Sequence, residues 1–391
     1  MVGPATPSNT RLNRLRRARR LPLLMKPRSM SILPRAGGPR LRLIVHKPTF
    51  ACTARCPTCE HRRQLHQASR RNPCMTFEQC LDLYRQAAAL GASELHLSGG
   101  EPTLYGRLPE LVAAAKQLGW FVMLNTNGSQ FVRTGLVERL FAAGLDSVML
   151  SIYSHEEAVH DAIRQQPGLF RRALRALELC RRYRQDRNPR FLLVTQSILS
   201  RDNLFDSAEL LRLMGDAGAD VHLFSYVEGD FDARFVPTVD MIRRFRAETI
   251  PQLRRCVLSL SQANPVMRAV AAVQVSRLFS KGRNSDENYA ACIYRDGRSN
   301  SCRCTIPDEF VLVLPDGNVH PCNVVEYSHE PVVGNLLQEG QSLKQIWEGD
   351  RWNRFRRERH DWCRRCPMSY HTSVPLNLTF RRLGRLLAPR V

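Results

Sequence analysis

Cys52-Thr53-Ala54-Arg55-Cys56-Pro57-Thr58-Cys59 sets three thiols at C-x3-C-x2-C spacing. Thiolates so spaced can hold three irons of a 4Fe–4S cluster and leave the fourth iron open to an outside molecule. Electron-transfer clusters and structural zinc sites instead close the shell with four protein ligands. The competing reading is a zinc knuckle completed by His61 or His66, since spacing alone separates metals poorly. Farther along, Ser98-Gly99-Gly100-Glu101-Pro102 ends an expected strand. Its glycines permit close backbone approach, and Glu101 supplies a fixed carboxylate suited to a ligand bearing an ammonium group. Taken together, the two motifs outweigh zinc.

A second group of cysteines follows: Cys302-x-Cys304, then the apolar run Phe310–Leu314, Pro315-Asp316-Gly317, Cys322, and Cys363-Arg364-Arg365-Cys366. The run with Pro-Asp-Gly-Asn reads as a β-hairpin, which brings Cys304 and Cys322 together at the far ends of paired strands. An amphipathic helix over 343–357 returns the Cys363/Cys366 pair. Cys302 is the alternative to Cys304, and a zinc ribbon is the alternative to an auxiliary cluster. Cys74, Cys80, Cys180, Cys256 and Cys292 have no ligand spacing, and lone cysteines mostly pack as small hydrophobes.

Both groups need a frame. From residue 41 strand-like runs alternate with helical patterns, the mark of βα units and a parallel sheet. Strands are expected at Leu41–His46, Glu94–Leu97, Phe121–Asn125, Ser147–Ile152, Phe191–Ile198 and Asp220–Tyr226. Helices are expected near Thr76–Leu90, Leu108–Leu118, Leu136–Ala143, Leu169–Tyr183 and Leu204–Ala217. Thr76 and Gln79 suit a capping box, and Gly91, Gly119, Gly144 and Gly218 suit helix C-termini. The alternation stops over 228–290, where helices are expected around Val239–Ile250 and Pro265–Leu278. That stretch reads as a connector closing part of a substrate cavity. The thiol loop follows the first strand and Gly-Gly-Glu-Pro the second, so both belong at the carboxyl edge of the sheet, where barrel active sites are built.

The cysteine triplet and Gly-Gly-Glu-Pro, in this order, resemble the radical S-adenosylmethionine (SAM) superfamily. Cys304-x12-Gly317-x4-Cys322 with the later CxxC resembles the SPASM and twitch extensions of that family. The resemblance implies an α/β fold: a partial (β/α)6 TIM-like radical SAM barrel with a small C-terminal twitch/SPASM-like α+β extension. The implied division is a basic leader over 1–40, the radical SAM core over 41–227, a helical connector over 228–290 and an auxiliary-cluster domain over 291–380. Implied cofactors are SAM, a SAM-binding 4Fe–4S cluster on Cys52, Cys56 and Cys59, and one auxiliary 4Fe–4S cluster on Cys304, Cys322, Cys363 and Cys366. Full SPASM domains carry further cysteines at positions that fall here on Thr372 and Leu376, hence the expectation of one auxiliary cluster. Gly99, Gly100, Glu101, Pro102, Thr126, Asn127 and Ser151 match SAM-contacting positions, whereas Thr58 stands where the family usually has an aromatic. His160-Asp161-x-Ile163-Arg164 recurs in related enzymes but reads more simply as a solvated helix start with an ion pair. Glu228, Asp230 and Asp232 are candidate substrate contacts or a plain acidic loop.

The implied chemistry is reductive cleavage of SAM to a 5′-deoxyadenosyl radical that abstracts hydrogen. Without the second set of auxiliary cysteines, the expected substrate is a small polar metabolite, a sugar or aminocyclitol that is oxidised, epimerised or dehydrated in a biosynthetic pathway. A maturase modifying a ribosomally made peptide is the alternative. Cys74, Cys180, Cys256 and Cys292 are the candidate hydrogen-atom donors, and a flavodoxin or ferredoxin is the expected reductant.

Net charge is +22, but twelve Lys and Arg and no Asp or Glu fall within residues 1–50. That proline-containing leader is expected to be disordered, either a transit peptide or an upstream start ahead of Met25 or Met30. It holds no Trp or Tyr and only Phe50, at its end, so an iron–sulfur or zinc nucleic-acid-binding protein ranks last. No apolar run is long enough to span a bilayer. Thirteen cysteines, mostly at ligand spacings, suit a reducing cytoplasm.

Overall fold

The computed structural model describes residues 39–59, 74–133, 135–227, 233–260, 265–277, 285–292, 295–296, 306–323, 332–338, 341–357 and 365–366. The expected leader, Cys302, Cys304, Cys363 and the acidic loop at Glu228, Asp230 and Asp232 lie outside them. Strands β1 (Leu43–His46), β2 (Glu94–Leu97), β3 (Phe121–Thr126), β4 (Ser147–Ser151), β5 (Leu192–Leu199) and β6 (Val221–Tyr226) run parallel, each paired with the next. Between them lie α1 (Phe77–Ala89), α2 (Leu108–Gln117), α3 (Leu136–Ala142), α4 (Glu157–Arg164), α5 (Leu169–Asp186) and α6 (Ser207–Asp216). Local signals place them. The Thr76/Gln79 capping box closes at both hydrogen bonds, and Gly91, Gly119, Gly144 and Gly218 all take positive φ after their helices.

Strand alternation splits the sheet's two faces. Leu95, Leu97, Val122, Leu124, Val148, Leu150 and Leu193 join the apolar layer under the helices. Met123, Met149, Leu192, Val194, Val221 and Leu223 form a second cluster on the inner face. A sheet apolar on both sides reads as nearly continuous hydrophobic runs, which is why these strands were legible.

Three departures have physical causes. The connector helix expected over Val239–Ile250 is instead α7 (Val239–Arg244), a π turn (Phe245–Thr249) and α8 (Ile250–Ser259). Pro251 lacks the N–H that an unbroken α ladder needs there. The helix expected over 343–357 breaks at Gly349, which is extended, into two helices, Leu343–Glu348 and Asp350–Arg357. Lastly, the C-terminal hairpin is not a separate layer. Its β8 (Phe310–Val313) pairs parallel with β1 and antiparallel with β9 (Asn318–His320), which pairs with β10 (Gly334–Asn335). One nine-stranded sheet results, ordered β10-β9-β8-β1-β2-β3-β4-β5-β6.

At the opposite edge, α9 (Pro265–Arg277) lies along β6. Gln274 accepts from the Phe224 N–H (2.9 Å) and donates to the His222 carbonyl (3.3 Å), occupying the place a seventh strand would take. Val270 of the same helix enters the inner apolar cluster. Among the described residues no helix is long and apolar enough to cross a membrane.

Candidate active site

Past the end of β1 the chain continues beside Ser98–Glu101. Ser98, Gly100 and Glu101 donate backbone N–H to the carbonyls of His46 (3.0 Å), Thr49 (3.1 Å) and Ala51 (2.7 Å). Gly99 has φ +130°, and a Cβ on Gly100 would stand 2.3 Å from the Ala51 oxygen. The close approach expected of these glycines is therefore to the chain leading into Cys52. It locks the thiol loop to Glu101.

Glu101, 1% exposed, is a junction. Its Oε1 accepts from the Thr103 N–H (3.2 Å), the Thr103 hydroxyl and the Thr126 hydroxyl (2.7 Å), and its Oε2 accepts from the Asn127 N–H (2.8 Å). Oε1 is saturated, while Oε2 keeps acceptor capacity. Pro102 opens the short turn that follows. Asn127 reaches onward, its Nδ2 donating to Thr53 Oγ1 (3.1 Å) and lying 4.0 Å from Cys52 Sγ. Thr53 in turn meets Ser129 Oγ at 2.9 Å.

The far side of the loop rests on α4. The Arg55 N–H donates to the Arg164 carbonyl (3.0 Å), and Cys56 Sγ lies 3.9 Å from the same oxygen. Arg164 is 7% exposed, its guanidinium stands 4.6 Å from the Tyr153 ring centroid, and its Nε has no hydrogen-bond partner among the described residues. Burial works against its charge, while Cys56, Tyr153, Cys52 and Cys59, once ionised, favour it and shift Arg164 upward on balance. His160 is fully buried, accepts from the Tyr153 N–H at 3.1 Å, and is pushed down to about 3 by burial and the Arg164 charge. Asp161 accepts the N–H of Gly168 and Phe170 at the start of α5. The solvated helix start expected here is thus buried framework for the thiol loop. The five-residue pattern gave no sign of it, because α4 is short and only tertiary packing covers it.

This donor set fits an iron–sulfur cluster. Among the described residues no three His, Cys, Asp or Glu side chains gather tightly enough for a single ion, and a cubane, binding three thiolates through three irons, does not require that. Burial pushes the Cys52 thiol up to about 12, so a metal bound there would have to supply the deprotonation, and the buried Arg164 is placed to balance the resulting anion.

Ser151 ends β4 on the inner face. Cys180 and Cys256 lie in the helix-side core, as does Cys80, 3.8 Å from His46 Nε2. Cys74 is exposed, and Cys292 has φ +55°. Cys322 is buried directly after β9. Cys366 lies on β11 (Arg365–Cys366), paired with β7 (Arg295–Asp296).

A radical SAM superfamily model matches residues 47–198, and a SPASM iron–sulfur cluster-binding domain model matches residues 289–367. PqqA peptide cyclase of Ruegeria pomeroyi is 28% identical over 345 residues, spanning 85% of this chain and 83% of that protein. The fold is shared with Streptococcus suis SuiB bound to S-adenosylmethionine (TM-score 0.56, 13% identity, 82% of this chain and 67% of that one). It is also shared with anSMEcpe with bound AdoMet (TM-score 0.57, 16% identity, 89% and 95%). Sheet, thiol loop and both domain matches agree: this chain belongs to the radical SAM superfamily and carries a SPASM-type iron–sulfur domain at its C-terminal end.

Proposed function

We infer that this radical SAM enzyme modifies a peptide. The observation that carries the reading is its likeness, over most of both chains, to a PqqA peptide cyclase. That likeness favours the peptide over the small polar metabolite expected from the cysteine count. Bound cluster and SAM supply one-electron cleavage and hydrogen abstraction from an unactivated carbon. The chain's own residues hold and orient. Cys52, Cys56 and Cys59 would be the thiolates, with the Asn127 amide N–H directed at Cys52 and the loop fixed by the Arg55 N–H on the Arg164 carbonyl. The open lone pair of Glu101 Oε2 would accept from the SAM ammonium, and Gly99, Gly100, Pro102, Thr126, Asn127 and Ser151 are the further residues that would hold SAM. Arg164 balances the negative charge of the loop. Cys304, Cys322, Cys363 and Cys366 are the auxiliary ligands.

The test is anaerobic reconstitution, reduction and addition of SAM with deuterated peptides and, separately, with a deuterated aminocyclitol. Deuterium should pass into 5′-deoxyadenosine. Transfer from an aminocyclitol and none from peptide would reverse the reading. Cys56→Ala should abolish 5′-deoxyadenosine formation and lower iron by about half, given one further cluster.

A further inference from the structure

The inner face of β3 to β6 changes character along its length. Its lower part is filled by Met123, Met149, Val194 and Leu223 with Val270. Toward the carboxyl ends the same face carries Asn125, Ser151, Gln196 and Ser225, placed there by strand alternation and the pairings Asn125 with Met149 and Ser151 with Gln196. Buried polar atoms in native proteins are almost always hydrogen-bonded, and on this partly buried stretch that satisfaction is incomplete. Asn125 Oδ1 is buried without a partner. Gln196 and Ser225, the latter 4% exposed, have side-chain hydrogen bonds only to each other, at 3.3 Å.

The chemistry of that pair is specific. With Gln196 Nε2 donating to Ser225 Oγ, the amide keeps its Oε1 acceptor and the serine keeps its hydroxyl proton. Were the amide turned over, an N–H donor and a serine lone pair would remain instead. Either way the pair keeps at least one donor and one acceptor, enough to complement an amide's C=O and N–H. No side chain on the described inner faces of β3 to β6 is charged, so a cationic aminocyclitol or a sugar phosphate would lose its water there without a counter-charge. Asn125 directly precedes Thr126 and Asn127, and Ser151 is itself one of the positions assigned to SAM. Gln196 and Ser225 lie on the next two strands of the sheet, farther from the thiol loop's strand.

We propose that Gln196 and Ser225 form a substrate subsite that reads a backbone amide of the peptide. This rests on the peptide reading above and adds where the chain is gripped. The probe is radiolabelled N-acetylalanine N′-methylamide, dialysed to equilibrium against reconstituted protein with SAM, with streptamine as the competing chemistry. Wild-type protein should bind the blocked amide in preference to streptamine. Gln196→Leu and Ser225→Ala should each weaken amide binding by about tenfold, with wild-type iron content confirming the fold. Gln196→Glu, nearly isosteric, should also lose the amide and gain streptamine. Unchanged amide affinity in all three variants overturns the subsite but leaves the peptide reading standing. Streptamine binding that depends on Gln196 in the wild type, or no amide binding at all, overturns the amide assignment, and the former also removes the peptide reading.

Discussion

On the helix-facing side of β5 and β6, Thr195, Ser197 and His222 satisfy one another: His222 Nδ1 meets Thr195 Oγ1 at 2.8 Å, its Nε2 meets Ser197 Oγ at 3.3 Å, and Ser197 donates to the Ile152 carbonyl. On the barrel-facing side of the same strands, Gln196 and Ser225 are left with a donor and an acceptor open. Residue types hardly differ between the two faces. The difference lies in completeness: a closed network rigidifies a core, while an open one in a half-buried wall is complete only with a ligand. Glu101 shows both conditions within one side chain, with Oε1 closed into the fold and Oε2 open toward the thiol loop.

The sharpest way to break that comparison is Glu101→Ala. Removing the carboxylate strands the N–H groups of Thr103 and Asn127 and the Thr126 hydroxyl, so the fold should lose about 3 kcal/mol, read from urea midpoints of the metal-free protein. SAM affinity should fall as well. A variant of wild-type stability would mean Oε1 is not a structural anchor, and the division of labour within Glu101 would fail.

Acid tests the closed side. Burial pushes His222 down to about 3 from the ordinary 6.5. Below pH 6.5 the unfolded chain therefore takes up a proton that the folded chain refuses until about pH 3. Stability is intact above 6.5 and falls as pH drops through that window, by at most about 1.4 kcal/mol per pH unit for this one group. His46, His96 and His160 are shifted the same way, so the wild-type slope contains several protons. Thermal unfolding of His222→Gln between pH 7 and 5 should show a shallower slope by one proton. An identical slope would show that His222 is charged or accessible in the folded protein, and the closed network would not exist as described.

The smallest effect is expected at the sheet edge. Gln274→Ala leaves the Phe224 N–H and the His222 carbonyl unpaired and should cost about 1–2 kcal/mol, seen as a few degrees in Tm. It should also favour self-association through the freed β6 edge, measured by sedimentation. A monomer with unchanged Tm would show that water replaces Gln274 without loss.

Much of the frame was legible because its signals are local. Period-2 and helical patterns, the Thr76 cap and the C-terminal glycines each depend on a few neighbouring residues, and all six parallel strands fall where these patterns place them. The thiol triplet and Glu101 could be singled out as candidates because a cluster needs particular atoms at particular spacings, and the structure brings the chain leading into Cys52 against Glu101. The burial of Arg164 and His160 was not, since a short polar helix looks solvated until α5 and the thiol loop close over it. Gln274 was equally hidden, because a glutamine in a helix carries no mark of the strand it will imitate.

The amino-acid sequence by itself determined which elements form and which thiols are available, because propensity, turn chemistry and ligand spacing act over a few residues. Only the tertiary structure decided that Gly99 admits the backbone of Thr49 and Gly100 that of Phe50 and Ala51, that β8 extends the barrel sheet beside β1, and that Gln196 and Ser225 share one inner wall. Those outcomes depend on strand register and on chain segments far apart in sequence. Register is set by packing the whole sheet at once, a quantity no local window of residues contains.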